Sequence, residues 1–198
     1  EVMKITPIDD TNNLYKVEDA ISEELMNELS EINLLDIPWK KPKWQEHWER
    51  REIQHERNDV LTAVVHEINS HAKQVGEAVG LPVKEINSRF WLDTEGFDCH
   101  PHIDNPAVII AFQLYLVDCD NMGTVFYHLN EEQVITTDDE QQWHWNPGEH
   151  PPPEVRHTFE FKKNTGYIML NNKTQLHGVP TKLEKGMLRL SAYCDCEI

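Results

Sequence analysis

The sequence predicts an α+β fold, a double-stranded β-helix (jelly roll) with N-terminal helices packed outside its sheets. Three observations carry this reading. Helical periodicity is confined to roughly the first 82 residues. From Val83 onward, short apolar or alternating runs are separated by Gly, Pro, Asn and Asp, the pattern of a sandwich or barrel. No Ser/Gly/Pro-rich linker interrupts the 198 residues, so one domain is expected, with a helical part at about 1–82 and a jelly-roll core at about 83–198.

After a short opening segment, Ser22 reads as an N-cap. Glu23 and Glu24 follow in the first turn, and Ile21, Leu25, Met26 and Leu29 recur at helical spacing. The Trp- and Pro-containing stretch from Pro38 to Arg51 reads as irregular. Asp59 opens a longer helix whose stripe is Val60, Leu61, Val64, Val65, Ile68, Ala72 and Val75, ending near Gly80 with Pro82 beyond. Val108 to Val117 is nearly continuously apolar, as in a strand buried on both faces, and Asp118 to Met122 supplies a turn. Thr124–Tyr127, Thr158–Phe161, Tyr167–Leu170 and Leu188–Tyr193 are further strands. The segment between Asn130 and Arg156 is acidic and rich in Pro and Trp, including Trp143 and Trp145, and fits equally a loop over the substrate or a solvated insert clamped by a few tryptophans. Its Glu131, Glu132, Asp138, Asp139 and Glu140 would form an acidic rim favouring a cationic substrate.

Composition excludes several partners. Lys and Arg total 18 against 35 Asp and Glu, a formal charge of −17, which opposes binding that depends on neutralising phosphates. Nucleic acid and anionic membrane are therefore not expected. No apolar run reaches the length of a membrane span and Glu1-Val2-Met3-Lys4 lacks a signal-peptide layout, so a cytoplasmic protein is expected. Cys99, Cys119, Cys194 and Cys196 lack paired zinc-site spacing and read as reduced structural residues.

The chemistry lies in His102-Ile103-Asp104, His177-Gly178-Val179 and Arg189-Leu190-Ser191. Two imidazoles and one carboxylate can occupy one face of an octahedral iron(II) and leave three positions open. Residues two apart on a strand share a face, so His102 and Asp104 can bind one ion, with His177 brought from a distant strand. His100 is the nearest rival ligand and is expected to orient the site or line its entrance. Arg189 can pair with the distal carboxylate of a dicarboxylate cosubstrate, aided by the hydroxyls of Ser191 and Tyr115. Each motif is weak alone; their ordered combination on predicted strands points to iron(II)- and 2-oxoglutarate-dependent oxygenation.

Over most of its length the chain resembles the prolyl-hydroxylase-like branch of the iron(II)- and 2-oxoglutarate-dependent dioxygenases. Gly96-Phe97-x-x-His100-Pro101-His102-Ile103-Asp104-Asn105-Pro106 is similar to the family's glycine loop and HxD motif. Phe112 to Leu116 resembles the strand whose tyrosine contacts the cosubstrate, and Gly123 to Phe126 the glycine-led strand. Gly166 to Leu170 and His177 to Val179 resemble the run into the distal ligand. The chain departs from the pattern at Leu92-Asp93, where the family usually has tyrosine, and at Arg189, where close prolyl hydroxylases often have lysine.

The resemblance implies hydroxylation of a C–H bond with O2, coupled to conversion of 2-oxoglutarate to succinate and CO2. Iron(II) and 2-oxoglutarate are the implied cofactors, with ascorbate an optional accessory. A peptidyl proline is the favoured substrate, ahead of a small amino-acid-like molecule. Asp104 leaves no vacant site for halide, and hydroxylation and desaturation remain open. Two rival classes are a metal-binding jelly-roll module without turnover, which would have little need of Arg189, and a nucleic-acid demethylase, which the net charge opposes.

Overall fold

The computed structural model describes residues 2–41, 49–53, 55–120, 122–129, 143–144, 153–171 and 175–198. Among the described residues, two α-helices flank two antiparallel sheets. Helix α1 (Glu23–Ser30) is capped by the Ser22 hydroxyl, which accepts from the Leu25 N–H; α2 (Asp59–Ala78) is capped by the Asn58 side chain, which accepts from Val60 and Leu61. The strands are β1 (Lys4–Pro7), β2 (Leu14–Glu18), β3 (Arg50–Ile53), β4 (Glu85–Asp93), β5 (Cys99–Ile103), β6 (Val108–Tyr115), β7 (Met122–Tyr127), β8 (Trp143–His144), β9 (Val155–Glu160), β10 (Thr165–Leu170), β11 (Leu176–Val179) and β12 (Arg189–Glu197).

The larger sheet runs β1-β2-β10-β6-β12-β4-β3 and the smaller β8-β5-β11-β7-β9. Non-consecutive neighbours everywhere but in the β1-β2 and β4-β3 edge pairs, together with two facing antiparallel sheets, make this a jelly roll. The first 82 residues are not purely helical: β1, β2 and β3 close both edges of the larger sheet. Their local patterns are weak because β1 is exposed along its whole length and β3 is four residues long. Such edge strands are specified by the sheet they join.

Period-two alternation in β4, β6 and β12 divides the larger sheet into two chemically different faces. Phe90, Leu92, Ile110, Phe112, Leu114, Leu190, Ala192, Cys194 and Cys196 point outward and pack with Leu61, Val64, Val65, Ile68 and Ala72 of α2. Trp91, Ala111, Tyr115 and Tyr193 point inward and join Phe126, Phe159 and Tyr167 between the sheets. This explains the unbroken apolar run of β6, which is buried on both sides. All four cysteines are free, and the Cys194 and Cys196 sulfurs lie 4.0 Å apart on the helix side.

Among the described residues, no helix is long and apolar enough to cross a membrane. Most of the 130–156 segment, including Trp145 and the five carboxylates of the expected rim, lies outside the described residues. Its described parts include two strands: β8 pairs with β5, placing His144 opposite His102 and Trp143 opposite Ile103, and β9 begins at Val155.

Gly166 in β10 lies opposite Leu114 of β6, and a Cβ there would collide with the Gln113 carbonyl oxygen. Gly166→Ala therefore has to separate two central strands. We expect a loss of about 3 kcal/mol in urea unfolding, the upper end of overpacking costs; a change under about 0.5 kcal/mol, the range of neutral surface substitutions, would refute this close approach.

Candidate metal and cosubstrate site

His102 and His177 are directly opposed across the antiparallel β5–β11 pair, so both come from neighbouring strands of the smaller sheet. The strand expected to bring His177 from far along the chain is thus the hydrogen-bonded neighbour of the one that carries His102. Their rings lie 4.5 Å apart between centroids. Asp104, just beyond β5, places Oδ1 3.2 Å from His102 Nε2 and 3.5 Å from His177 Nε2. One donor atom from each of the three residues falls within 4.8 Å of the others. Donors about 2.1 Å from one ion and at right angles around it stand about 3 Å apart, so the spacing suits three cis positions of an octahedron.

Backbone carbonyls orient both imidazoles. His102 Nδ1 lies 2.9 Å from the His100 carbonyl and His177 Nδ1 lies 2.8 Å from the Gln175 carbonyl. A carbonyl only accepts, so each Nδ1 carries a proton and Nε2 is the ring atom that faces Asp104 and is left to ligate a metal. His100 contributes through its backbone while its side chain is exposed. Phe126 stacks on the His177 ring with centroids 5.2 Å apart. Burial lowers the pKa of His177, which favours the neutral, ligating form. At His102 burial acts the same way, but Cys99 and Asp104 outweigh it and raise the pKa well above the ordinary value. Burial likewise raises the pKa of Asp104, but His177, His102 and Tyr193 more than offset it and hold the carboxyl at about 2. Tyr193 donates to Asp104 Oδ2 at 3.3 Å and stacks on Trp91 with centroids 4.3 Å apart.

These residues open into a cavity of about 450 Å³. Arg189 lines it from the facing sheet, fully buried, with its guanidinium 4.5 Å above the Phe161 ring. Its Nε lies 3.8 Å from Asp93 Oδ2, and Asp93 also receives a bidentate pair from Arg50 at 2.6 and 3.0 Å. Two guanidinium groups and one carboxylate leave this end of the cavity net positive. Burial lowers the pKa of Arg189 despite Asp93.

Ser191 and Tyr115 share the inner face with Arg189 but do not line the cavity; Gln113 and Thr124 do. Gln113 Nε2 donates to Ser191 Oγ at 3.1 Å, and the Tyr115 hydroxyl donates to Thr124 Oγ1 at 3.1 Å while accepting the Thr124 N–H at 2.9 Å. Tyr167 donates to Gln113 Oε1 at 2.8 Å. The two expected hydroxyls thus support the residues in front of them. Sequence reasoning missed Arg50, Asp93, Gln113, Thr124 and Tyr193 as site residues. Tyr193 was accessible in principle, two residues beyond Ser191 on one strand face. Arg50 had no local signal, because its edge strand meets the site through β4 alone. Trp91 Nε1, also on this wall, is buried with no hydrogen-bond partner among the described residues.

His102→Ala should abolish one-to-one iron(II) binding in anaerobic titration, whereas His100→Ala, which keeps the carbonyl, should retain it. Gly178→Ala should also weaken binding, because a Cβ there would sit 2.6 Å from the Cys99 carbonyl oxygen and push β5 from β11. Full affinity in the Gly178 variant would sever the link between strand spacing and ligand geometry.

No family model and no curated protein matches the sequence. Solved structures do match over nearly the whole chain. A Pseudomonas putida prolyl-4-hydroxylase is 13% identical, with a TM-score of 0.64 over 96% of each chain. A Trichoplax adhaerens prolyl hydroxylase, in complex with a hypoxia inducible factor peptide fragment, is 11% identical with a TM-score of 0.67 over 95% of this chain and 84% of its own. HygX from Streptomyces hygroscopicus, with nickel and 2-oxoglutarate bound, is 11% identical with a TM-score of 0.63 over the same shares. The chain therefore has the jelly-roll fold shared by these two prolyl hydroxylases and HygX.

Proposed function

We propose that this protein is an iron(II)- and 2-oxoglutarate-dependent dioxygenase that hydroxylates a C–H bond and releases succinate and CO2. The observation that carries the reading is the convergence of His102 Nε2, His177 Nε2 and Asp104 Oδ1 on one point, in a cavity with a buried arginine at its other wall. His102, Asp104 and His177 would hold the metal, which when bound supplies the activation of O2. Tyr193 keeps its proton, because burial and the Asp104 carboxylate push its pKa well above the ordinary value. It thereby restrains the second oxygen of Asp104 and leaves Oδ1 to ligate.

Arg189 would bind the distal carboxylate of 2-oxoglutarate. Asp93 fixes the approach of its guanidinium, and Phe161 and Phe97 shield it from water. The gain of a charge-assisted contact in a dry pocket exceeds that of the same contact at a surface. Thr124 and Gln113, held by Tyr115, Ser191 and Tyr167, offer polar groups along the intervening wall. The prime substrate would be a peptidyl proline or a small amino-acid-like molecule, in a cytoplasmic setting. A turnover-free metal module fits less well, since it has no use for a buried cation facing the metal point.

Arg189→Leu should raise the apparent KM for 2-oxoglutarate roughly thirty- to several-hundred-fold, the equivalent of about 2–4 kcal/mol, with metal affinity nearly intact. Arg189→Lys should recover part of the loss because an ammonium lacks the planar fork. Succinate release across a panel of prolyl peptides and free amino acids reads the activity. Absence of iron-dependent succinate under every condition, with 2-oxoglutarate failing to bind, would overturn the assignment.

A further inference from the structure

The inner face of β12 carries Arg189, Ser191, Tyr193 and Asp195 at alternate positions, and β4 carries Arg89, Trp91 and Asp93 beside them. Arg189 and Asp195 are six residues apart, about 20 Å along a strand. Tyr193 stands between them and touches Asp104. The metal point therefore divides this wall: the Arg189–Asp93–Arg50 cluster lies toward one end and Asp195 toward the other. At that second end Arg89 Nη2 donates to Asp195 Oδ2 at 2.9 Å, and both side chains line the cavity, 25% and 11% exposed. Nothing in the cosubstrate assignment uses this pair.

We propose that Arg89 and Asp195 anchor the prime substrate and that this substrate is a small zwitterion, a free α-amino acid or close analogue, whose carboxylate pairs with Arg89 and whose ammonium pairs with Asp195. The proposal rests on the dioxygenase reading and names the substrate class of that site. A half-buried ion pair resists a ligand of single charge, because an anion drawn to Arg89 leaves Asp195 uncompensated and a cation drawn to Asp195 leaves Arg89. A zwitterion replaces each partner with an equivalent one and leaves the local charge unchanged. Burial already pushes the Asp195 pKa upward against Arg89 and Asn87, so this carboxylate depends on a cation beside it. The stacked Trp91 and Tyr193 rings next to the pair give the substrate's carbon skeleton an apolar wall on the side of Asp104. An internal peptide residue has neither free terminus and could not exchange with the pair.

The test is calorimetric titration of the Mn²⁺-loaded protein, first with 2-oxoglutarate and then, in its presence, with free α-amino acids including proline. Their amides, their N-acetyl derivatives and a prolyl peptide complete the panel. Free amino acids should bind at least about ten-fold more tightly than either capped form, each cap removing one charge-assisted contact. Arg89→Gln should erase the preference over the amide and keep that over the N-acetyl form, and Asp195→Asn should do the reverse. Capped or peptidic ligands binding as tightly as the free acids to the wild-type protein would overturn the proposal, whether or not the variants fold. Unchanged preferences in both folded variants would also overturn it. If 2-oxoglutarate binds and no zwitterion does, this proposal alone fails; if 2-oxoglutarate does not bind, the dioxygenase reading fails with it.

Discussion

The contact between β5 and β11 is the constraint on which the site depends. His102 and His177 are a directly opposed cross-strand pair, and the residue after His177 must be glycine because the Cys99 carbonyl and the His100 backbone fill the space a Cβ would need. Cross-strand neighbours on one face stand about 5 Å apart, the separation at which two imidazoles can reach one ion from the same side. The register also shifts between His177 and Val179, so the pairing is tight at the histidines and irregular beyond them. Strand pairing thus sets the distance between the two nitrogens, and side-chain hydrogen bonds only aim them.

The aiming extends well beyond the ligands. His177 is turned by the Gln175 carbonyl, and the Gln175 side chain is fully buried, accepting from Arg156 at 3.1 Å and donating to the Asn13 carbonyl at 2.7 Å. Arg156 in turn grips Asp9 through two nitrogens and reaches Asn13, tying the β1–β2 connection to the strand that carries the metal ligand. Arg156 acts first among the groups that hold Asp9 well below the usual carboxylate range, so this pair stays charged across the physiological range. A segment with no chemistry of its own thereby fixes the tautomer and tilt of a ligand more than 160 residues away in sequence.

Charge inside the sandwich is arranged along the strands of the larger sheet. The outward face of β4, β6 and β12 is apolar because α2 covers it, while the inward face bears Arg89, Asp93, Gln113, Arg189 and Asp195. Buried charges persist when paired: Arg50 chelates Asp93 and lies over the Trp91 and Phe97 rings at 4.0 and 4.4 Å, and Arg89 meets Asp195. Burial alone would lower the Arg50 pKa, yet Asp93 reverses the effect and raises it. The sheet's polarity comes from alternation, and ion pairing makes it tolerable.

The sequence by itself determined what depends on short-range order. Helix caps at Ser22 and near Asp59, the doubly buried strand β6, and the spacing of His102 and Asp104 follow from periodicities and residue types a few positions apart. Those signals, with His177 and Arg189 in sequence order, made the jelly roll and the candidate ligands legible. The tertiary structure alone decided which strands pair. The His102–His177 register, the edge strands β1 to β3, and the placement of Arg50 beside Asp93 all join residues tens of positions apart. It also decided that Gln113 and Thr124, and not Ser191 and Tyr115, face the cavity, because Gln113 of the adjacent strand stands in front of Ser191 and Thr124 of the opposite sheet stands in front of Tyr115. Strand alternation tells which face a residue takes, but which of two neighbours on that face reaches the front is settled only by the packing of the rows beside it.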